Sequence, residues 1–145
     1  MNNWSQHKPE LDLFGAFTWE LPADKDGTPT LLASQCMRCK ETFFPLLKVC
    51  PRCLEEPQTI FLGDTGILYT YTIIHIGPQG YATPYAVGYV DMPEGVRLFA
   101  QLDSDDFTIL QPGLTMKATW GQIRTDDQGH PVYSYKFTPA RAPEP

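Results

Sequence analysis

The chain has no cysteine outside residues 36–53, so thiol nucleophiles are excluded from the rest of it. It is also short of positive charge: 11 Lys and Arg face 17 Asp and Glu, for a formal net charge of −6. Nucleic-acid binding rests mainly on Lys and Arg that displace phosphate counterions, so a chain this acidic is poorly suited to it. No apolar run approaches the roughly 20 residues that a helix needs to cross a bilayer. The opening Met1-Asn2-Asn3-Trp4-Ser5 holds no apolar signal core, so a cytoplasmic protein with no membrane partner is expected. No Ser/His/Asp or Cys/His arrangement can be read from spacing, which argues against catalysis by this chain alone. No internal repeat is evident. At 145 residues, 42% apolar and 19% charged, the composition is that of one folded unit or two small ones sharing an interface.

What is present is concentrated in two pairs, Cys36-Met-Arg-Cys39 and Cys50-Pro-Arg-Cys53. Two C-x-x-C pairs at short range are the ligand pattern of a structural metal site. The competing reading, two disulfides, belongs to secreted domains. Four thiolates at about 2.3 Å close a zinc tetrahedron and leave no position for water or substrate. Zinc in a structural role is the expected cofactor. Iron, which takes the same ligands, would make the chain an electron-transfer protein. In such knuckles the residue after the second cysteine often adopts a positive φ suited to glycine. Here those positions hold Lys40 and Leu54.

The remaining pattern is mainly β. Residues 1–30 read as an N-terminal arm or short helix with an apolar cluster at Leu11, Leu13, Phe14, Phe17, Trp19 and Leu21. Residues 31–58 form the zinc ribbon, with Leu31–Gln35 and Thr42–Pro45 as arms of a hairpin around the first knuckle. Residues 59–139 alternate like strands: 59–62, 67–76, 85–92, 96–102, a capped helical turn at 107–110, then 114–124 and 132–137. Three strands, a helical element and two strands is the order of the OB-fold, a five-stranded Greek-key barrel. A sandwich would need about seven strands. Residues 140–145 are a Pro-rich tail.

Several further residues are candidates for contact. His75 ends the long strand beside the loop Gly77–Pro84, which also carries Tyr81. In an OB barrel that loop borders the usual ligand face. Arg38, Lys40, Lys48 and Arg52 surround the knuckles, where they either receive phosphates of a ligand or balance the charge of the metal–thiolate cluster. Tyr69, Tyr89, Phe99, Trp120 and Tyr135 are among the aromatics that would stack bases if this were a single-stranded nucleic-acid binder. From residue 61 onward only five Lys and Arg stand against nine Asp and Glu, so core and cross-strand pairing is the better account.

Taken in order, Leu31-x-x-x-x-Cys36-x-x-Cys39, Phe43-Phe44-Pro45, Val49-Cys50-Pro51-x-Cys53, Gly63-x-x-Gly66-x-Leu68-Tyr69-Thr70-Tyr71-Thr72, Pro84-Tyr85-Ala86-Val87, Glu94-Gly95-Val96-Arg97-Leu98, Pro112-Gly113 and Tyr135-x-Phe137-x-Pro139 resemble a known family. It is the acyl-CoA-associated family of rubredoxin-like zinc ribbons joined to OB-folds, long catalogued as a domain of unknown function. The resemblance covers roughly residues 31–139. It implies a small accessory subunit that docks on a thiolase-fold or related acyl-CoA enzyme in a hetero-oligomer, as in two-component thiolases of the benzoylsuccinyl-CoA type. It further implies that a CoA thioester is bound at or with the partner.

Overall fold

The computed structural model describes residues 19–20, 30–44 and 46–140. The arm-or-helix expectation for most of residues 1–30, and the tail from residue 141, lie outside the described residues. Within them, β1 (Trp19–Glu20) pairs antiparallel with β2 (Thr30–Gln35), and β2 is the spine of the N-terminal module. Its Ser34 and Gln35 pair with β3 (Thr42–Phe43) on one side and with β4 (Gln58–Phe61) on the other. The hairpin around the first knuckle therefore forms as the alternation predicts. β4 belongs with the ribbon's sheet through its register to Leu32–Gln35.

The second module is a closed barrel. Its strands are β5 (Thr65–Ile74), β6 (Tyr85–Asp91), β7 (Arg97–Leu102), β8 (Thr115–Thr125) and β9 (Pro131–Pro139). The order around the barrel is β5-β6-β7-β9-β8. β7 and β9 run parallel, Leu102 beside Phe137, and all other neighbours are antiparallel. A 3-10 turn at Phe107–Ile109 sits between β7 and β8, capped by the Asp106 carboxylate accepting from the Thr108 N–H. This is the OB-fold topology. β9 runs to Pro139, past the sequence-read end at Phe137. Pro139 pairs with Met116 at the strand's end, a place where a missing N–H is tolerated.

Alternation fixes the core. On β7, Leu98, Ala100 and Leu102 point inward while Arg97 and Phe99 are exposed. Leu68, Val90, Met116 and Phe137 complete a fully buried centre. Leu31 and Ala33 of the ribbon belong to that same cluster, and Phe44 and Ile60 pack against it. The Leu62 N–H donates to the Leu31 carbonyl at 2.9 Å. Ribbon and barrel thus share one hydrophobic core, which compensates for the small core a ribbon can build alone. Among the described residues, no helix is long and apolar enough to cross a membrane.

Candidate metal centre and barrel cleft

Each knuckle is built by the same local hydrogen bonds. In the first, the Lys40 N–H donates to the Cys36 carbonyl at 2.8 Å and the Cys36 N–H to the Glu41 carbonyl at 2.9 Å. In the second, the Leu54 N–H donates to the Cys50 carbonyl at 2.9 Å and the Cys50 N–H to the Glu55 carbonyl at 2.8 Å. Closing these turns requires a left-handed residue, and Lys40 (φ 64°) and Leu54 (φ 66°) supply it without being glycine. The expectation of a positive φ at these two positions is met. The L-residues there carry a strain of about 1–2 kcal/mol each.

The four Sγ atoms lie within 4.8 Å of one another, with Cys36 and Cys53 3.4 Å apart. None is in a disulfide. A tetrahedron with arms of about 2.3 Å has edges of about 3.8 Å, so the cluster has the size of a four-thiolate metal site. Cys36 and Cys50 are fully buried. The Cys39 N–H points at the Cys36 sulfur from 3.3 Å and draws its pKa down to about 7, against the opposing effect of burial. Hydrogen bonding with the Cys53 thiol pushes Cys39 up to about 12. The donor set fits zinc, with every vertex filled by protein sulfur.

The cations around the knuckles are differently employed. Arg38 of the first knuckle pairs with Glu55 after the second, at 3.4 Å. Arg52 of the second pairs with Glu41 after the first. Lys40 and Lys48 are exposed. The two glutamates escaped the sequence reading, as did the signal that would have found them. Cys36-Met-Arg-Cys39-Lys-Glu41 and Cys50-Pro-Arg-Cys53-Leu-Glu55 share the pattern C-x-R-C-x-E. A short internal repeat is therefore present after all, and its crossed ion pairs join the two halves of the site.

A second feature lies on the outside of the barrel. A cleft of about 340 Å³ opens between the β5–β6 loop and strands β6, β7 and β9. Tyr81 from the loop stacks on Tyr85, with ring centroids 5.5 Å apart and planes 25° apart. Phe99, half-exposed at 53%, and Tyr135 form the facing wall. The Tyr135 hydroxyl donates to the Phe99 carbonyl at 2.7 Å, and Phe44 of the ribbon packs edge-on against the Tyr135 ring at 5.7 Å. The loop is held over this face where the Thr125 N–H donates to the Gly80 carbonyl at 2.8 Å. Gly80 has φ 97°, and a Cβ there would run into the Thr125 carbonyl oxygen. Of the candidate contact residues, Tyr81 lines the cleft, while His75 is exposed at the loop's start and the knuckle cations are elsewhere. The exposed Tyr89 and Phe99 form the cross-strand pair that the aromatic pattern suggested, at 5.3 Å, and Arg97 lies over the Tyr69 ring at 3.5 Å.

Comparison with known proteins places this architecture. The family described as "ChsH2, C-terminal OB-fold domain" matches residues 59–121. The chain is 36% identical over 142 residues to the benzoylsuccinyl-CoA thiolase subunit BbsA of Thauera aromatica, covering 94% of each chain. It is 30% identical over 114 residues to a DUF35 domain-containing scaffold protein of Methanocaldococcus jannaschii, covering 75% of this chain and 81% of that one. The chain belongs to the DUF35 family. Among solved structures, the Ltp2-ChsH2(DUF35) aldolase superposes with a TM-score of 0.62 at 26% identity, covering 76% of this chain and 84% of the other. The ribbon–barrel pairing is thus a DUF35 arrangement, as the resemblance implied.

Proposed function

We propose that this chain is the non-catalytic, zinc-holding subunit of a heteromeric acyl-CoA enzyme of the thiolase class, and that it supports assembly of its partner. The observation that carries this reading is the 36% identity to a thiolase subunit over 94% of both chains. The closed cysteine cluster supports it, because all four thiols occur there and leave none for acyl transfer. When bound, the metal would supply folding free energy, on the order of 10 kcal/mol in small zinc modules. Cys36, Cys39, Cys50 and Cys53 would hold it. Contact with the partner or its CoA thioester is assigned to Tyr81 and His75 on the barrel loop, and to the exposed Lys40 and Lys48. Arg38 and Arg52 are engaged by carboxylates and serve the knuckles first. A nucleic-acid role is disfavoured by the formal net charge of −6.

The test is co-expression with a thiolase-fold protein encoded beside it. A stable complex that cleaves a 3-oxoacyl-CoA, with neither chain active alone, is the expected outcome. Chains that migrate separately, with the partner fully active by itself, would remove the proposal.

A further inference from the structure

Aromatic side chains run in a strip across the outside of β6 and β7 and into the cleft. Tyr89 meets Phe99 edge-on at 5.3 Å, and the two are 43% and 53% exposed. Phe99 in turn lines the cleft together with Tyr135 and the stacked rings of Tyr81 and Tyr85. No charged residue lines the cleft among the described residues. Its walls are fixed by the protein itself. The Tyr135 hydroxyl donates to the Phe99 carbonyl, and the Thr125 N–H ties the loop down at the Gly80 carbonyl. A preformed cleft with aromatic walls is a binding surface for apolar groups.

The cleft continues into a recess of about 280 Å³ that shares Tyr85, Gln101 and Ile123. Arg124 and Lys136 line this recess, and no carboxylate does. The Lys136 ammonium donates to the Gln122 carbonyl at 3.3 Å and lies 3.7 Å from the Asp103 carboxylate. Arg124 also borders an outer opening with Asp126 and Asp127. Two cations lining one recess, in a chain of net charge −6, give this end of the groove a preference for an anionic group. Shape narrows the occupant further. The closed barrel offers no edge that an incoming strand could extend here. At about 340 Å³ the cleft admits a few side chains, whereas a helix is about 10–12 Å across. Aromatic-walled grooves accept the prolines of an extended segment, whose conformation is largely set before it binds. The chain's own Pro143-Glu144-Pro145 has this chemistry but not the reach. The Ala140 N–H donates to the Thr115 carbonyl, about 30 Å of strand from Arg124, and five extended residues span at most about 18 Å.

We propose that cleft and recess together dock an extended, proline-rich segment of a partner protein that carries an acidic residue beside its prolines. The proline rings lie against Tyr81, Tyr85 and Phe99, and the carboxylate lies at Arg124 and Lys136. This extends the partner contact assigned above to Tyr81 by naming its chemistry. The test uses this chain and short peptides without any enzyme subunit, so its failure is distinct from failure of the subunit reading.

Full-length, metal-loaded protein is titrated by two-dimensional NMR with acetyl-Pro-Pro-Pro-Glu-amide. Three compounds serve as controls: the peptide ending in Gln lacks the charge, acetyl-Leu-Leu-Leu-Glu-amide lacks the proline rings, and a thymidine octanucleotide offers bases and phosphates instead. The Pro-Glu peptide is expected to saturate with a Kd near or below about 1 mM and to shift Tyr81, Tyr85 and Phe99. The Pro-Gln peptide binds about two- to fivefold more weakly, as loss of one partly exposed ion pair predicts. Arg124→Gln brings the Pro-Glu peptide to that same level and leaves the Pro-Gln peptide unchanged, which shows that the variant is folded. Tyr81→Ala weakens both about three- to tenfold. A chain shortened after Ala140 binds as the full chain does. No saturation up to about 10 mM, equal binding of the Leu peptide, or saturation of the same residues by the octanucleotide overturns the proposal. Tighter peptide binding by the shortened chain also overturns it, since the cleft would then belong to the chain's own Pro143-Glu144-Pro145.

Discussion

The positive-φ residues of the two knuckles allow a stability prediction of unusual sign. Glycine placed in an ordinary exposed position costs about 0.5–1 kcal/mol in backbone entropy. At Lys40 and Leu54 that cost is set against the left-handed conformation, about 1–2 kcal/mol for an L-residue. Little packing is lost, since Leu54 is 77% exposed and Lys40 is also exposed. The hydrogen bonds that close each turn come from the backbone and survive. Each of Lys40→Gly and Leu54→Gly should therefore stabilise by about 0.5–1 kcal/mol, and the pair by about 1–2 kcal/mol. For a chain of 145 residues the double variant should melt about 3–6 °C higher. Met37→Gly, inside the first knuckle at a position without positive φ, is the control and should melt lower. Thermal denaturation of the metal-loaded protein, with metal content measured for each variant, gives the answer. If Lys40→Gly and Leu54→Gly lose stability as Met37→Gly does, the strain assigned to the knuckles is absent.

Further predictions concern the clamps around both sites. Gly80→Ala drives a Cβ into the Thr125 carbonyl at a residue with φ 97°. It should cost about 2–4 kcal/mol, visible as a lower denaturant midpoint together with exposure of Tyr81. Arg52→Ala or Arg38→Ala each removes one crossed ion pair. Because these pairs are exposed, each should speed metal release to a chromogenic chelator only about two- to fivefold, and raising salt should accelerate the wild type more than the double variant. Metal uptake by stripped protein at neutral pH should release protons, more from Cys39 and Cys53, whose pKa values are raised, than from Cys36, whose pKa is lowered to about 7. Apparent affinity should therefore fall as pH falls, as a competition titration reads. Asp126 is drawn below its usual 3.8 by the His130 N–H, and Asp106 by the Thr108 hydroxyl. Since both folded pKa values are depressed, their stabilisation is whole above that value and is lost as pH falls below it. Asp126→Asn should flatten the acid limb of the stability curve.

Much of the fold was legible because its signals are local. Turn residues such as Pro93-Glu94-Gly95 and Asp126-Asp127-Gln128-Gly129 separate β-branched runs, and their order alone selects the OB topology. The metal cluster was legible because C-x-x-C spacing fixes two ligands at a time, and the left-handed residues because they occupy a fixed place after each pair. Strand ends were less so. β5 starts at Thr65 because Gly66 pairs with Met116, a partner 50 residues away, and β9 absorbs Pro139 for the same kind of reason. Of the cleft, Tyr81 and its loop were legible and the facing wall was not. Tyr81, Phe99, Gln101 and Ser134 come together only when the barrel closes. Glu41 and Glu55 lay in plain view in the repeated C-x-R-C-x-E, but two copies of six residues do not stand out until their hydrogen bonds are seen to match.

The central claim is that bond-making belongs to a companion polypeptide while this chain holds metal and shape. It is tested most directly by assaying thiolytic cleavage of a 3-oxoacyl-CoA with this chain purified alone, with its partner alone, and with the two combined. Activity in the mixture only, lost when Cys39→Ser replaces the wild type, is the predicted result. Turnover by this chain in the absence of any partner would contradict it.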